Sequence, residues 1–178
     1  VRSAVVLDER VRPLVHRFKY QGWWRLAGSF ATRMAPLLAG MQGADLVPIP
    51  LAAGRRRDRG YNQAEALAEA VGALTGLPVR PERLTRIRET PTQTRLAPEA
   101  RQANLADAFR GAPEERVAIL VDDVFTTGAT LLSAAGVLLD GGASAVHAIT
   151  FARAEPALAG AAARLRPLIH SLTSEESP

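Results

Sequence analysis

The run "VAILV" at 117–121, followed at once by Asp122 and Asp123 and then by "VFTTGAT", constrains this chain more than any other stretch. Five apolar residues without alternation read as a strand buried on both faces, the kind found in parallel sheets. Helical spacing resumes from about Ala129 to Leu139, and Gly141 with Gly142 stops it ahead of a second apolar run, "AVHAITF". Strand, turn, helix, strand is the repeating unit of an α/β sheet. The two acids are therefore expected at the carboxyl end of a parallel strand, where such sheets bind ligands.

Upstream, Val11, Leu14, Val15 and Phe18 fall on one helical face, and Leu26, Phe30, Met34 and Leu37 predict a second helix. "DLVPI" reads as a short buried strand. An Arg-rich loop, "PLAAGRRRDRGY", follows it, and then a helix that opens on Asn62 with Glu65 as a capping box and closes at Gly76 and Pro78. One or two strands are expected between Val79 and Ile87, a loop long enough to act as a lid over 88–98, and a short helix in "PEARQANLADAF". There is no internal repeat. The 178 residues suit one domain. It divides into a small helical hood over about 1–43, a core over 44–152 and a C-terminal extension over 153–178 that ends in a frayed tail.

The chain has no apolar run long enough to cross a bilayer and no signal-peptide pattern, so a cytoplasmic placement is expected. Cysteine is absent, and His16, His147 and His170 are scattered, which removes disulfides and predicts no zinc. The formal charge is +4, and Lys19 is the one lysine among the basic residues. Arginine forks suit phosphate oxygens, so the excess permits an anionic ligand.

Behind the acids, Thr126, Thr127, Gly128, Ala129 and Thr130 lead into a helix whose positive end and backbone amides can surround a phosphate. Two carboxylates beside such a nest repel a bare polyphosphate. They suit a ligand with sugar hydroxyls next to its phosphate, a ribose 5-phosphate, held directly or through magnesium and its waters. The ordinary alternative is a surface acid beside a plain turn. Neither a Walker loop nor a dinucleotide fingerprint is present.

The segment closely resembles the signature of the type I phosphoribosyltransferases, which bind phosphoribosyl pyrophosphate. The resemblance implies that fold, a mostly parallel twisted sheet flanked by helices. It gives the ribose hydroxyls to Asp122 and Asp123 and the 5-phosphate to Thr126 through Thr130. Magnesium would arrive with the ligand and reach Asp122 or Asp123 through water.

A second segment, "VPIPLAAGRRRDRGYNQAEALA", sets Arg55, Arg56, Arg57 and Arg59 against Asp58 alone, so it can neutralise an anion such as pyrophosphate; a solvated basic loop is the plainer reading. Its opening and its closing "RGYNQ" resemble the ComF family, a branch of the phosphoribosyltransferase fold linked to DNA uptake. Arg57, Arg59, Gly60, Asn62 and Gln63 are matching positions, and with Arg55 they form the implied pyrophosphate loop. Thr90, Gln93, Leu96, Arg101, Asn104 and Phe109 match that family's mobile-loop region, to which Arg95 is added as a candidate cation. "FKYQG", with Lys19 and Gly22, matches a fourth segment. Many ComF relatives carry a cysteine zinc ribbon that is missing here, and the mobile loop has arginines where the wider fold often has a lysine.

Two functions follow from the resemblance. In one, Asp122, Asp123, Arg57 and Arg59 serve the transfer of phosphoribosyl from phosphoribosyl pyrophosphate to a nitrogen nucleophile with release of pyrophosphate. In the other, the pocket is a non-catalytic nucleotide or phosphoribosyl pyrophosphate module, or a dock for DNA-uptake machinery or nucleic acid. Packing of the N-terminal helices is expected to account for at least one of Trp23 and Trp24, and His16 is expected to be structural. Tyr61 and Phe125 flank the two ligand loops, as core or as the wall of a base pocket.

Overall fold

The computed structural model describes residues 1–88 and 108–154. Thr90, Gln93, Arg95, Leu96, Arg101 and Asn104, and the expected tail, lie outside the described residues. So does the body of the expected "PEARQANLADAF" helix.

The centre is a sheet of four parallel strands in the order β1, β6, β5, β2. They are β1 (Arg2–Val6), β2 (Asp45–Pro48), β5 (Ala118–Phe125) and β6 (Val146–Arg153). The inner strands are apolar because both faces are covered. Ile119 and Val121 of β5 join one core with Phe18, Phe30, Leu67 and Val71, while Ala118 and Leu120 join a second with Val47, Leu84, Phe109 and Leu138. Successive residues of a strand face opposite ways, so one continuous apolar run feeds two cores.

The first core is covered by α1 (Val11–Tyr20), α2 (Leu26–Met34) and α4 (Gln63–Thr75). Val15 and Phe18 are the buried residues of α1, as its spacing predicts, and Asp8 Oδ1 accepts from the amides of Arg10 and Val11 at its start (3.0 and 2.8 Å). In α2, Phe30 stacks on Phe151 of β6 with ring centroids 3.7 Å apart. The second core is covered by α5 (Ala129–Asp140) and by an antiparallel ribbon of β3 (Leu84–Arg86) and β4 (Phe109–Gly111). The expected α/β class, a parallel sheet flanked by helices, is what the chain forms.

Several expectations are corrected. Residues 1–43 are not wholly helical, because β1 pairs with β6 at the sheet edge. The strand read as ending at Val121 runs on to Phe125, so the two acids lie inside it. The Arg-rich loop is a helix, α3 (Ala53–Arg59), which buries none of its own residues and ends at Gly60 with φ 77°. With no apolar face, α3 gave no periodic signal. The capping box is half formed: Asn62 Oδ1 accepts from the Ala64 amide (3.1 Å), but Glu65 turns outward to Arg56 (3.1 Å). Phe109, placed by the sequence pattern in a helix, opens β4.

Candidate ligand-binding site

β2 and β5 are neighbours and parallel, so the segments that leave their carboxyl ends emerge side by side. One becomes α3 and the other becomes the turn before α5. Both sequence-predicted loops therefore meet at one edge of the sheet.

At the end of β5 the backbone passes through Thr126 and Thr127, both exposed, to Gly128, which takes φ 77° and precedes α5. That left-handed conformation is the reason for glycine there. The Thr127 hydroxyl accepts from the Ala129 amide at 3.5 Å. Thr130 stands in the first turn of α5. The turn is open to solvent at the positive end of a twelve-residue helix, which suits an anion.

Asp122 and Asp123 precede the turn and are held differently. Asp122 Oδ1 accepts from the backbone amide of Asp123 at 2.8 Å. Asp123, only 5 % exposed, pairs through Oδ1 with Lys19 Nζ at 3.1 Å, and its Oδ2 is buried with no hydrogen-bond partner. Burial, reinforced by the neighbouring charge of Asp123, pushes the Asp122 carboxyl up to about 7, against the pull of Lys19. Asp123 thus has a cation beside it, and Asp122 titrates near neutrality.

Lys19 comes from α1, far away in the chain. The signal for it was its "FKYQG" segment and its being the only lysine. The turn that carries it is tied to the start of α4. Tyr61 donates its hydroxyl hydrogen to the Phe18 carbonyl, and its ring packs edge-on against Phe18. Gln63 Nε2 donates to the Lys19 carbonyl at 3.4 Å, and Gln63 Oε1 accepts from Arg59 Nη1 at 2.9 Å. Arg59 Nη2 also donates to the Tyr20 hydroxyl at 3.2 Å, and the guanidinium lies 4.8 Å from that ring's centroid. Burial holds the Tyr61 hydroxyl above its ordinary pKa, with the Gln63 hydrogen bond opposing.

The predicted pyrophosphate loop is thus divided by the fold. Arg59 and Gln63 brace α1, and Asn62 caps α4 while donating through Nδ2 to the Ile49 carbonyl at 3.0 Å. Gly60 supplies the left-handed end of α3. Arg56 pairs with Glu65, and among the described residues Arg55 and Arg57 make no salt bridge. Arg55 is half-buried and Arg57 exposed.

Trp23 and Trp24 are not packed away. They are 44 % and 58 % exposed, with the guanidinium of Arg17 4.9 Å from the Trp23 centroid and that of Arg25 5.4 Å from the Trp24 ring. Gly22, with φ 67°, turns the chain so that both rings stand outside the α1/α2 packing.

A parallel α/β sheet carries the acid pair and the Thr-Thr-Gly-x-Thr turn at one carboxyl edge, the arrangement that the sequence's resemblance to type I phosphoribosyltransferases implies. Known proteins then narrow the relationship. No family model matches the chain. Over 143 residues it is 34 % identical to DNA utilization protein YhgH of Salmonella typhimurium, covering 75 % of this chain and 63 % of that protein. It is 31 % identical over 157 residues to competence protein ComFC of Bacillus subtilis (85 % of this chain, 63 % of that protein), and 32 % identical to competence protein F of Haemophilus influenzae (71 % and 62 %). These relatives are ComF-type competence and DNA utilization proteins, and the chain spans about 63 % of the length of those it matches. Among solved structures it is similar to orotate phosphoribosyltransferase from Aeropyrum pernix at 14 % identity and a TM-score of 0.45, over 80 % of this chain and 65 % of that one. It is also similar to a hypoxanthine phosphoribosyltransferase from Trypanosoma cruzi at 14 % identity and a TM-score of 0.41, over 76 % and 69 %.

Proposed function

We propose that this domain binds magnesium-complexed phosphoribosyl pyrophosphate and transfers the phosphoribosyl group to a nitrogen nucleophile. The observation that carries this reading is the junction of β5 and α5. There a carboxylate oxygen with no partner, Asp123 Oδ2, and the titratable Asp122 stand directly ahead of an open turn at a helix N-terminus.

In this reading the ribose diol donates to Asp122 and to Asp123 Oδ2, and the 5-phosphate rests on the amides and hydroxyls from Thr126 to Thr130. The bond from the anomeric carbon to the pyrophosphate oxygen breaks with its electron pair on the oxygen. A nitrogen lone pair forms the new bond, and that nitrogen then gives its proton to solvent. The acid pair stabilises the positive charge that builds on the ribose, and Arg55 and Arg57 face the departing pyrophosphate. Arg59 acts at one remove, by bracing α1.

Magnesium in such a site needs only one or two carboxylates beside phosphate oxygens. Asp122 and Asp123 supply that number. Asp122 and the free oxygen of Asp123 would hold it, and it would supply neutralisation of phosphate charge.

Calorimetric titration with magnesium and phosphoribosyl pyrophosphate tests the binding step. The wild type is expected to bind, and Asp122→Asn/Asp123→Asn to bind about 100-fold more weakly, the loss of two charged hydrogen bonds at roughly 1.4 kcal/mol each. Pyrophosphate release with a panel of bases, amines and ammonia tests the transfer. No binding by the wild type ends the reading, and binding without release leaves a ligand-binding module.

A second role, docking of single-stranded nucleic acid, is supported by a separate observation. Trp23 and Trp24 stand exposed with an arginine over each ring, in a segment from Arg10 to Ala44 that contains five arginines and Lys19 but no acid. Interleaved aromatic and basic groups suit a polynucleotide whose bases are unpaired. The relatives' names, which concern DNA utilization and competence, agree with this role.

A further inference from the structure

Lys19 stands on the last turn of α1 with its ammonium 3.1 Å from Asp123 Oδ1, and its side chain is 24 % exposed against 7 % for Asp123. The clamp that places it acts on backbone rather than on the amine. Tyr61 and Gln63 donate to the carbonyls of Phe18 and Lys19, groups that the C-terminal end of a helix leaves without internal partners. Arg59 holds the neighbouring Tyr20 by its hydroxyl and ring. The root of the lysine is therefore fixed in three ways, while its four-carbon stem ends in a partly exposed ion pair. Asp123 is satisfied on one oxygen by that pair, and its other oxygen is buried without a hydrogen-bond partner.

An acid pair and a polyanion cannot share a small site unless a cation stands between them. In phosphoribosyl pyrophosphate the pyrophosphate is bonded to the carbon next to the one bearing the 2-hydroxyl, so an ammonium at the acid that accepts the diol is already beside the leaving group. Lysine suits such a transfer, being a compact charge on a flexible stem with rotatable donors. Arg59, held between Gln63 and Tyr20, does not.

We propose that Lys19 is a switchable counter-ion: it neutralises Asp123 in the free protein and passes to a pyrophosphate oxygen when the ligand's hydroxyls claim that carboxylate. The inference rests on the ribose-phosphate reading above. It makes Lys19 selective for the pyrophosphate end of the ligand, and it gives the Arg59, Tyr61 and Gln63 segment the task of positioning that lysine.

Because the chain has a single lysine, reductive methylation with carbon-13 formaldehyde labels one side-chain amine, and its NMR signal reports on Lys19 directly. The signal is expected to move in Asp123→Asn, and to move again in the wild type on saturation with magnesium and phosphoribosyl pyrophosphate. Lys19→Met leaves both backbone bonds of the clamp in place. It is expected to weaken binding of phosphoribosyl pyrophosphate by ~10-fold or more, the effect of losing a charge-assisted hydrogen bond, while ribose 5-phosphate binds as well as before or better. An equal loss for both ligands overturns the proposal, as does an amine signal that stays still while phosphoribosyl pyrophosphate binds. Failure of the wild type to bind either ligand overturns the ribose-phosphate reading itself and this inference with it.

Discussion

The ring of Phe125 closes the space over Gly128: a Cβ built on that glycine would stand 2.7 Å from Phe125 Cε2. The last residue of β5 thus fixes the glycine that ends the turn before α5, and the φ of 77° at Gly128 excludes other residues for a second reason.

Gly128→Ala is expected to lower stability by about 1–3 kcal/mol, the sum of a left-handed backbone penalty and a tight contact that the ring must yield to. Urea unfolding measures it. Ribose 5-phosphate binding should fall as well, because relief of the contact moves the amides proposed to face the phosphate. A variant as stable as the wild type would show that the turn relaxes freely.

The state of Asp122 makes stability depend on pH in a definite direction. Its folded value, about 7, lies above the ordinary aspartate value of 3.8, so between those values the unfolded chain binds fewer protons and stability falls as pH rises. The loss is absent below about pH 4 and complete above about pH 7. Asp122→Asn keeps an oxygen for the Asp123 amide and removes the charge, so it is expected to raise the unfolding midpoint at pH 8 and to leave it unchanged near pH 3.5. The gain is on the order of 1–2 kcal/mol after allowance for the partial exposure of this residue. A midpoint difference that is the same at both pH values would contradict the assignment.

At the opposite end of the sheet, Arg83 and Asp45 form an almost wholly buried pair at 2.9 Å, with Arg83 also donating to the carbonyls of Glu114 and Arg116. Arg116 adds a second cation to Asp45 at 3.1 Å from an exposed position. Arg83→Met leaves the acid with only that outer partner and is expected to cost about 3 kcal/mol in chemical unfolding. Adding Asp45→Leu should recover much of the loss. Ligand affinity of the folded protein should not change, since this pair lies at the amino end of β2 and the site lies at the carboxyl end.

Trp23 and Trp24 are the only tryptophans, so intrinsic fluorescence reads their surface without a label. A single-stranded oligonucleotide is expected to quench it with an affinity that falls steeply as salt is raised. Trp24→Ala should weaken binding by about 1–3 kcal/mol, the worth of one stacked base. Unchanged emission at low salt would remove the nucleic-acid reading and leave the β5–α5 site untouched.

Much of the fold is legible locally because the signals are local. The helices α1, α4 and α5 carry apolar spacing, and Asn62, Gly76 and Gly142 mark helix ends through their own backbone or side-chain chemistry. Other elements carry no such signal. β3 and β4 have three residues each, too few to show a period, and β1 lies at a sheet edge where only pairing with β6 defines it. The extension of β5 through both acids is hidden because aspartate is poorly suited to strands, and tertiary pairing with β6 overrides that preference.

The candidate site divides in the same way. Its acids, threonines and glycine are adjacent in the chain, so short-range order alone set down the acid pair, the turn and the helix in sequence, along with the parallel sheet that carries them. Only the folded chain decided that Asp123 would meet Lys19, that Arg59 and Gln63 would brace a helix, and that both tryptophans would face solvent. The reason is that charge interactions and burial depend on distance in space, and a pattern of neighbours along a chain does not contain that distance.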